Sequence, residues 1–232
     1  MSRRRSRAVG HRLQDLAWPD AARAADGTVL AVPVGATEQH GPHLPLSTDT
    51  DIAVALVRGL AEIRADVIGA PPLAYGSSGE HDGFAGTLSI GRRAVELVLV
   101  ELVRSASATF ERVLLVCAHG GNAAPLRAAE QCLRGEGRDV RTWLPRWSSD
   151  AHAGRLETSL MLAIAPERVH LDAAAVGATA PLAELMPRLV DGGVRAVSSN
   201  GVLGDPGGAS AGEGRALLDE EVVRLADAVE RW

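Results

Sequence analysis

The 232-residue chain is long enough for one large α/β domain or two small ones. Hydrophobic residues make up 46% of the sequence and are nearly all aliphatic, which suits a core between helices and a parallel sheet. The net charge of −5 argues against a general nucleic-acid binder, and no apolar run is long enough to span a membrane.

The N-terminal segment and the cysteines bear on localisation. The basic run at Arg3 to Arg5 is expected to be solvated surface, and no apolar signal-peptide segment follows it. Two cysteines, Cys117 and Cys132, are too few for a disulfide framework. We therefore expect a cytoplasmic protein without a membrane or nucleic-acid partner. It should form one domain over residues 1–232, with residues 1–27 as a partly ordered N-terminal segment.

Strands and helices are predicted to alternate along the chain. Strands are expected at 28–34, 67–73, 112–118 and 140–144, and helices at 51–64, 92–108, 123–134, 154–164 and 215–231. Residues 75–86 are expected to form a loop, since this segment is rich in glycine and serine, and residues 192–212 are also expected to form a loop. The alternation predicts an α/β fold with a largely parallel sheet covered by helices on both faces.

A cluster of carboxylate and imidazole side chains follows the first predicted strand. Glu38 and His40 lie on the same side of an extended segment, because side chains alternate along it, and Asp49 is far enough along the chain to fold back towards them. Imidazole nitrogen and carboxylate oxygen are ligands of Zn, Fe(II) and Mn. A plain surface turn is the alternative, because Gly41-Pro42 marks a turn. The cluster thus predicts a metal site.

Two neighbouring residues have simpler interpretations. His43 fits a turn residue as well as a hydrogen-bond partner of a ligand, and we do not assign it as a ligand. Asp51 is expected to cap the following helix, because aspartate is favoured at that position.

Polar clusters also follow the other three predicted strands. Parallel-sheet proteins bind ligands beyond the carboxyl ends of their strands, so all four clusters are expected to meet at one edge of the sheet. Cys117, inside an apolar run, is expected to pack in the core rather than act as a nucleophile. The residues of the later clusters are Glu80 and His81, His119 and Asn122, and His152 and Glu157.

Four segments together resemble the signature blocks of the creatininase family of amidohydrolases. They are VPVGATEQHGPHLPLSTDTDIA, YGSSGEHDGFAGTLSIG, HGGN and HAGRLETSLMLAI, and they occur in the family's order. The resemblance implies a three-layer α/β/α sandwich with a largely parallel central sheet, assembled as a homo-oligomer, usually a hexamer. It also implies two divalent metal ions at the carboxyl edge of the sheet, from among Zn, Fe(II) and Mn.

The resemblance extends to individual metal ligands. Glu38, Asp49 and His119 are implied for one metal ion, and His40 with a bridging Asp49 for the other. Creatininase itself places a further glutamate at the position that Gly121 occupies in this chain. This departure leaves the last ligand of the second metal open.

Other site residues receive catalytic or substrate roles from the same resemblance. Glu157 is the candidate for the missing ligand, or else it orients the attacking water. His152 matches a catalytic histidine of the family and is expected to protonate the leaving amine. Two adjacent cations would lower the pKa of a shared water enough to supply hydroxide near neutral pH. From the residues themselves, Glu80 and His81 on their flexible loop are expected to contact substrate, and Asn122 is expected either to cap the following helix or to position substrate.

Three functions remain open from the sequence. The loop SGEHDGFAGTLSIG is most similar to one branch of the family, the creatininase-like peptidases of the mycofactocin system, which release a C-terminal unit derived from Val-Tyr from a modified precursor peptide. A second possibility is hydrolysis of a small cyclic or formyl amide, which would use the same metal residues. The third is a metal-bearing binding protein without catalysis on the same scaffold.

Overall fold

A computed structural model describes residues 12–147 and 150–232 of the chain. The basic run at Arg3 to Arg5 lies outside these residues. None of the helices in the described part of the chain has the length and hydropathy needed to cross a membrane.

Four parallel strands form the central sheet, in the order β2-β1-β3-β4. Every residue of β1 is buried, and five of the six residues of β3 are buried, as expected for central strands covered on both faces. The strands are β1 (Val29–Val34), β2 (Val67–Gly69), β3 (Arg112–Cys117) and β4 (Asp139–Trp143).

Helices cover both faces of this sheet. They are α1 (Trp18–Ala24), α2 (Thr48–Ile63), α3 (Arg92–Ala106), α4 (Ala123–Gly135), α5 (Arg155–Ile164), α6 (Leu182–Val197) and α7 (Ala211–Glu230). Short 3-10 turns lie at Leu13–Asp15, Gly79–His81, Gly120–Asn122, Pro166–Arg168 and Leu171–Ala173.

Alternation along the strands divides the apolar core into two layers. Val29 and Ala31 of β1 face a layer that includes α2, α5 and α7. Leu30 and Val32 point the other way, into a layer that includes α3 and α4. The predicted α/β/α sandwich with its parallel sheet is therefore confirmed. α6 lies outside both layers, with its own small apolar cluster.

The second predicted strand and the first predicted helix have different bounds in the structure. The strand expected at 67–73 ends at Gly69, because Pro71 and Pro72 offer no N–H for strand pairing, and only an isolated bridge at Leu73 follows. The helix expected from Asp51 begins at Thr48. Asp51 is therefore not its cap.

The carboxylate of Asp51 instead sits in the first turn of α2. It accepts hydrogen bonds from Ser47 Oγ and Arg168 Nη1, both at 2.7 Å. The expectation that Asp51 caps the helix was wrong, because the helix already starts three residues earlier, after Ser47.

The loop expected at 192–212 is partly helical. α6 continues to Val197 through a kink at Gly193, where φ is 66°, and α7 already begins at Ala211. In the structure, Gly193 adopts a left-handed conformation that kinks the chain, and helical hydrogen bonding resumes after it.

Candidate metal centre

The polar clusters predicted at the strand ends meet at the carboxyl edge of the sheet. Glu38 and His40 lie on the loop that follows β1, and His119 directly follows β3. Asp49 lies in the first turn of α2 and Glu157 in the first turn of α5. The helix starts add a favourable dipole for these two carboxylates.

Asp49 lies between two imidazoles, with one carboxylate oxygen towards each. Its Oδ1 is 3.3 Å from His40 Nε2, and its Oδ2 is 3.3 Å from His119 Nδ1. Burial alone would raise the pKa of Asp49, but the charges of the adjacent His40 and His119 imidazoles lower it well below its usual value. Asp49 therefore stays ionised and touches both halves of the centre.

Glu38 completes the first half of the centre. Its Oε2 is 3.3 Å from His119 Nε2, and its side chain is 1% exposed. Burial opposes protonation of His119, but Glu38 and Asp49 outweigh it and raise the pKa of His119 well above its usual value. A protonated His119 compensates the negative charges of Glu38 and Asp49. A divalent cation bound between these groups would compensate the same charges.

Glu157 completes the second half, beside His40. Its Oε2 is 3.8 Å from His40 Nε2 and also accepts a hydrogen bond of 2.6 Å from the N–H of Ala153. Burial raises the pKa of Glu157 to about 7; the charge of His40 opposes this shift and that of Asp49 adds to it. His40 is fully buried; burial opposes its protonation, but Asp49 raises its pKa to about 10.

The donor atoms of this centre fit divalent metal ions. Both carboxylate oxygens of Glu38, Nε2 of His40 and Oδ2 of Asp49 are buried with no hydrogen-bond partner among the described residues. Such atoms are costly to bury unless a cation compensates them. The ligand atoms of Glu38, His40 and Asp49 lie within 4.8 Å of one another, as do those of His40, His152 and Glu157. Carboxylate and imidazole are the ligands that Zn, Fe(II) and Mn accept.

His152 lies next to the centre, and one of its ring nitrogens is hydrogen-bonded within the protein. Its Nε2–H donates to the backbone oxygen of Gln39 at 2.8 Å, which leaves Nδ1 unprotonated, 3.9 Å from Glu38 Oε1. Burial, followed by the charges of His40 and His81, lowers the pKa of His152 well below its usual value. The ring is therefore neutral and able to accept a proton.

Gln39 is a site residue that the sequence analysis missed. Its side chain is buried, and its amide Nε2 donates to His81 Nδ1 at 2.8 Å and to the carbonyl of Gly201 at 3.1 Å. With its backbone oxygen on His152, Gln39 orients two imidazoles at once. Alternation along the Glu38–His40 segment predicts that Gln39 points away from the two ligands. The sequence pattern therefore gave no indication of its role.

Two of the three expected substrate contacts line a cleft above the centre. His81 is buried, with Nε2 3.2 Å from Glu38 Oε1, and burial lowers its pKa against the pull of Glu38. Glu80 is more exposed, with Oε1 3.9 Å from His119 Nε2. The cleft has a volume of about 930 Å³ and also reaches His152.

Asn122 has contacts of another kind. It is fully buried, its Oδ1 accepts from the N–H of Ser77 at 2.9 Å, and its Nδ2 donates to the carbonyl of Gly35 at 3.0 Å. Both ends of the Asn122 side-chain amide are therefore hydrogen-bonded to backbone groups of the protein. These bonds join the loop after β2 to the end of β1. They favour a role in holding that loop over a contact with substrate.

The backbone at Gly121, where the sequence departs from creatininase, leaves no room for a side chain. A Cβ built on Gly121 would lie 2.4 Å from each of three atoms, Glu80 Oε1, His119 Nε2 and the carbonyl oxygen of Ser77. No larger side chain fits there unless these groups move. The space that a glutamate would need is taken by Glu80 and His119.

His43 and Cys117 are buried residues next to the site. His43 is fully buried, with Nε2 2.9 Å from Thr158 Oγ1, and burial together with the charge of His40 lowers its pKa to about 4. Burial raises the pKa of Cys117 to about 11, so its thiol stays protonated. Both results agree with packing roles.

The comparison with known proteins identifies the scaffold. A family model described as "Creatininase: Creatinine amidohydrolase" matches residues 14–229. A mycofactocin precursor peptide peptidase of Mycolicibacterium smegmatis is 53% identical over 211 residues, which cover 88% of this chain and 85% of that protein.

Solved structures agree with this match. A structure named "Creatininase Mn" superposes with a TM-score of 0.79 at 26% identity, covering 94% of this chain and 97% of that one. A mutant creatininase described as "Zn-Zn type" gives a TM-score of 0.79 at 25% identity, covering 94% of this chain and 96% of that one. The metals named for these neighbours, Mn and Zn, suit the donor atoms described above.

Proposed function

Because the chain belongs to the creatininase family of amidohydrolases, we propose that it is a metal-dependent peptidase of the mycofactocin precursor peptide. In this proposal it hydrolyses a peptide bond near the end of the modified precursor and releases a C-terminal unit of dipeptide size. The observation that carries the proposal is the buried group of carboxylate oxygens and imidazole nitrogen without hydrogen-bond partners in the described part of the chain. Glu38 of this group, with His119 beside it, lines a cleft of about 930 Å³. The peptidase with 53% identity supports the choice of substrate.

Five side chains would hold the metal ions. Glu38, Asp49 and His119 would bind one ion, and His40, Asp49 and Glu157 the other, because Asp49 faces both imidazoles. When bound, two divalent ions lower the pKa of water and polarise the amide carbonyl. Glu157, whose pKa is raised to about 7, would replace the glutamate ligand that creatininase has at the position of Gly121.

His152 would move the proton that the reaction requires. Its free Nδ1 faces the centre, while its bond to the backbone of Gln39 fixes the ring. The neutral ring takes up a proton from the attacking water through Nδ1 and passes it to the amine that leaves. Fixing of the ring by Gln39 keeps the same nitrogen available for both transfers.

Glu80 and His81 would place the substrate. Both lie on the 3-10 turn at Gly79–His81 and line the cleft beside Glu38. His81 is held by Gln39 and Glu38, so it offers a rigid contact, whereas the side chain of Glu80 is more exposed. A peptide amide has both donors and acceptors that suit these two side chains.

The experiment that tests the proposal compares two substrates. The metal-loaded protein is incubated with the modified precursor peptide and, separately, with creatinine, and products are followed by mass spectrometry. We expect a C-terminal fragment of dipeptide size from the peptide, and none after a chelator has removed the metal.

Each other result has a definite meaning. Creatine formation with an intact peptide would replace the proposal by the small-amide activity that the family model's description names. Metal-loaded protein that turns over neither substrate would leave the peptidase proposal without support.

A further inference from the structure

The cleft above the metal centre has an apolar wall that the roles described so far do not use. Leu182, Met186 and Val190 of α6 are spaced by four residues and therefore share one face of the helix. All three line the same cleft as Glu38 and His119. Their exposed fractions are 47%, 43% and 79%, which is high for large apolar side chains grouped on one face.

This face is distinct from the one that attaches α6 to the protein. Leu185 and Val194 are buried and pack with Leu203 in a small apolar cluster. Leu182, Met186 and Val190 are not part of this cluster and are exposed to the cleft. Apolar side chains grouped at a ligand cleft are the usual means of binding apolar groups.

α6 is also joined to the turn that carries the site. A Cβ on Gly193 would lie 2.7 Å from the carbonyl oxygen of Glu80, so the two backbones are in close contact. Arg195 donates a hydrogen bond to the carbonyl of Gly83, and its guanidinium lies over the ring of Phe84. A group bound on α6 would therefore lie beside Glu80 and close to the metal centre.

We propose that the α6 face formed by Leu182, Met186 and Val190 is a substrate subsite that binds apolar side chains of the peptide next to the cleaved amide. This inference rests on the proposed peptidase function. It gives α6 a part in substrate selection and assigns no part in the chemical step.

The length of the face favours a peptide occupant over a small amide. From Leu182 to Val190 the helix rises about 12 Å, at about 1.5 Å per residue. An extended peptide advances about 3.3 Å per residue, so the face matches roughly three to four residues. A small cyclic amide would touch only a part of it.

The test replaces exposed side chains that the fold does not need. We compare wild type with the double variant Met186→Ser/Val190→Ser on the precursor peptide. The variant Val223→Ser serves as the control, because Val223 is 56% exposed on α7 and does not line the cleft. Metal content and native mass are measured for each protein.

We expect the double variant to raise KM about ten-fold or more, as the loss of apolar contacts in a binding pocket does. Its kcat and metal content should match wild type, because contacts with peptide side chains, rather than with the reacting amide itself, act equally on the ground state and the transition state. Val223→Ser should match wild type throughout.

A second peptide, with the apolar residues beside the cleaved bond replaced by serine, links the effect to the substrate. Wild type should lose affinity for it, and the double variant should lose little more, because the two changes remove the same contact.

Unchanged KM in a double variant that cleaves the peptide would overturn the subsite while leaving the peptidase function intact. A lower native mass with unchanged KM would also overturn it, and would assign the face to contact with a second copy of the chain. No cleavage by metal-loaded wild type would overturn the proposed function and the subsite together.

Discussion

Asp49 couples the two halves of the centre. It is 2% exposed, lies at the N-terminal turn of a long helix, and faces His40 with one oxygen and His119 with the other. Among the acidic side chains described at the site, Asp49 alone contacts both imidazoles. Loss of its carboxylate would remove this link. This arrangement makes Asp49 the residue on which metal binding should depend most.

Asp49→Ala should lose both metal ions. Metal per chain, measured by elemental analysis after gel filtration, should fall from two towards zero. Asp51→Ala is a matched control two residues away, since Asp51 pairs with Arg168 rather than with the site. Retention of two metal ions in Asp49→Ala would contradict the bridging role.

His152→Ala should separate metal binding from turnover. The variant should keep both metal ions and lose about 10²- to 10⁴-fold in kcat, the usual contribution of a positioned proton-transfer group. Single-turnover kinetics together with metal analysis would measure both quantities. A variant that loses metal along with activity would instead make His152 a ligand, a role for which its distance to Glu38 also leaves room.

The sequence predicted the site residues that depend on local patterns. Glu38, His40 and His119 follow apolar strands directly, so their place at the sheet edge could be inferred. The role of Gln39 could not, because its partners His81 and His152 lie 42 and 113 residues away in the chain. Such contacts depend on how distant loops meet, which no local pattern records.

At the scale of elements, the turn at Gly120–Asn122 is closely packed against the site. The backbone there passes so close to Glu80 and His119 that Gly121 has no room for a side chain, whereas a Cβ on Gly120 meets nothing within 4 Å. Gly120 should therefore tolerate substitution by a residue with a side chain, whereas Gly121 should not.

Gly121→Ala should lower metal occupancy and turnover, because the added methyl group must displace His119, Glu80 or the backbone at Ser77. Gly120→Ala should be close to wild type. Elemental analysis and kcat/KM for the two variants would measure the difference. Equal behaviour of the two variants would show that the turn adapts and that Gly121 does not shape the site.

The strands and most helices were predictable because their apolar patterns are long and regular. β1, β3 and helices α3 to α5 fall within two residues of the expected bounds. α6 was not predicted: residues 192–212 were expected to form a loop, whereas the helix runs to Val197 with Pro187 and a kinked Gly193 inside it. A positive φ at Gly193 and close packing against Glu80 allow the helix there, and both depend on tertiary contacts.

At the scale of the whole molecule, the metal centre connects segments that are far apart in sequence. The loop after β1, the end of β3 and the start of α5 each contribute side chains to it. Without cations, buried carboxylates such as Glu38 lack compensation, so the empty protein should be less stable than the loaded one.

Removal of metal should therefore lower Tm, and restoring Zn or Mn should raise it with concentration. Ligand at 100 times its Kd adds about 2.7 kcal/mol to the free energy of unfolding. Differential scanning fluorimetry of chelated and reloaded protein measures the shift. Asp49→Ala is the control, since its Tm should not respond to metal. A response equal to wild type would place the stabilising metal elsewhere.

Anomalous diffraction from crystals of the metal-loaded protein would test the central claim most directly. We expect two anomalous peaks per chain, about 3.5–4 Å apart as in two-metal hydrolytic sites. One should lie at Glu38, Asp49 and His119, and the other at His40, Asp49 and Glu157. A single peak, or peaks away from Asp49, would contradict the account of a dinuclear centre.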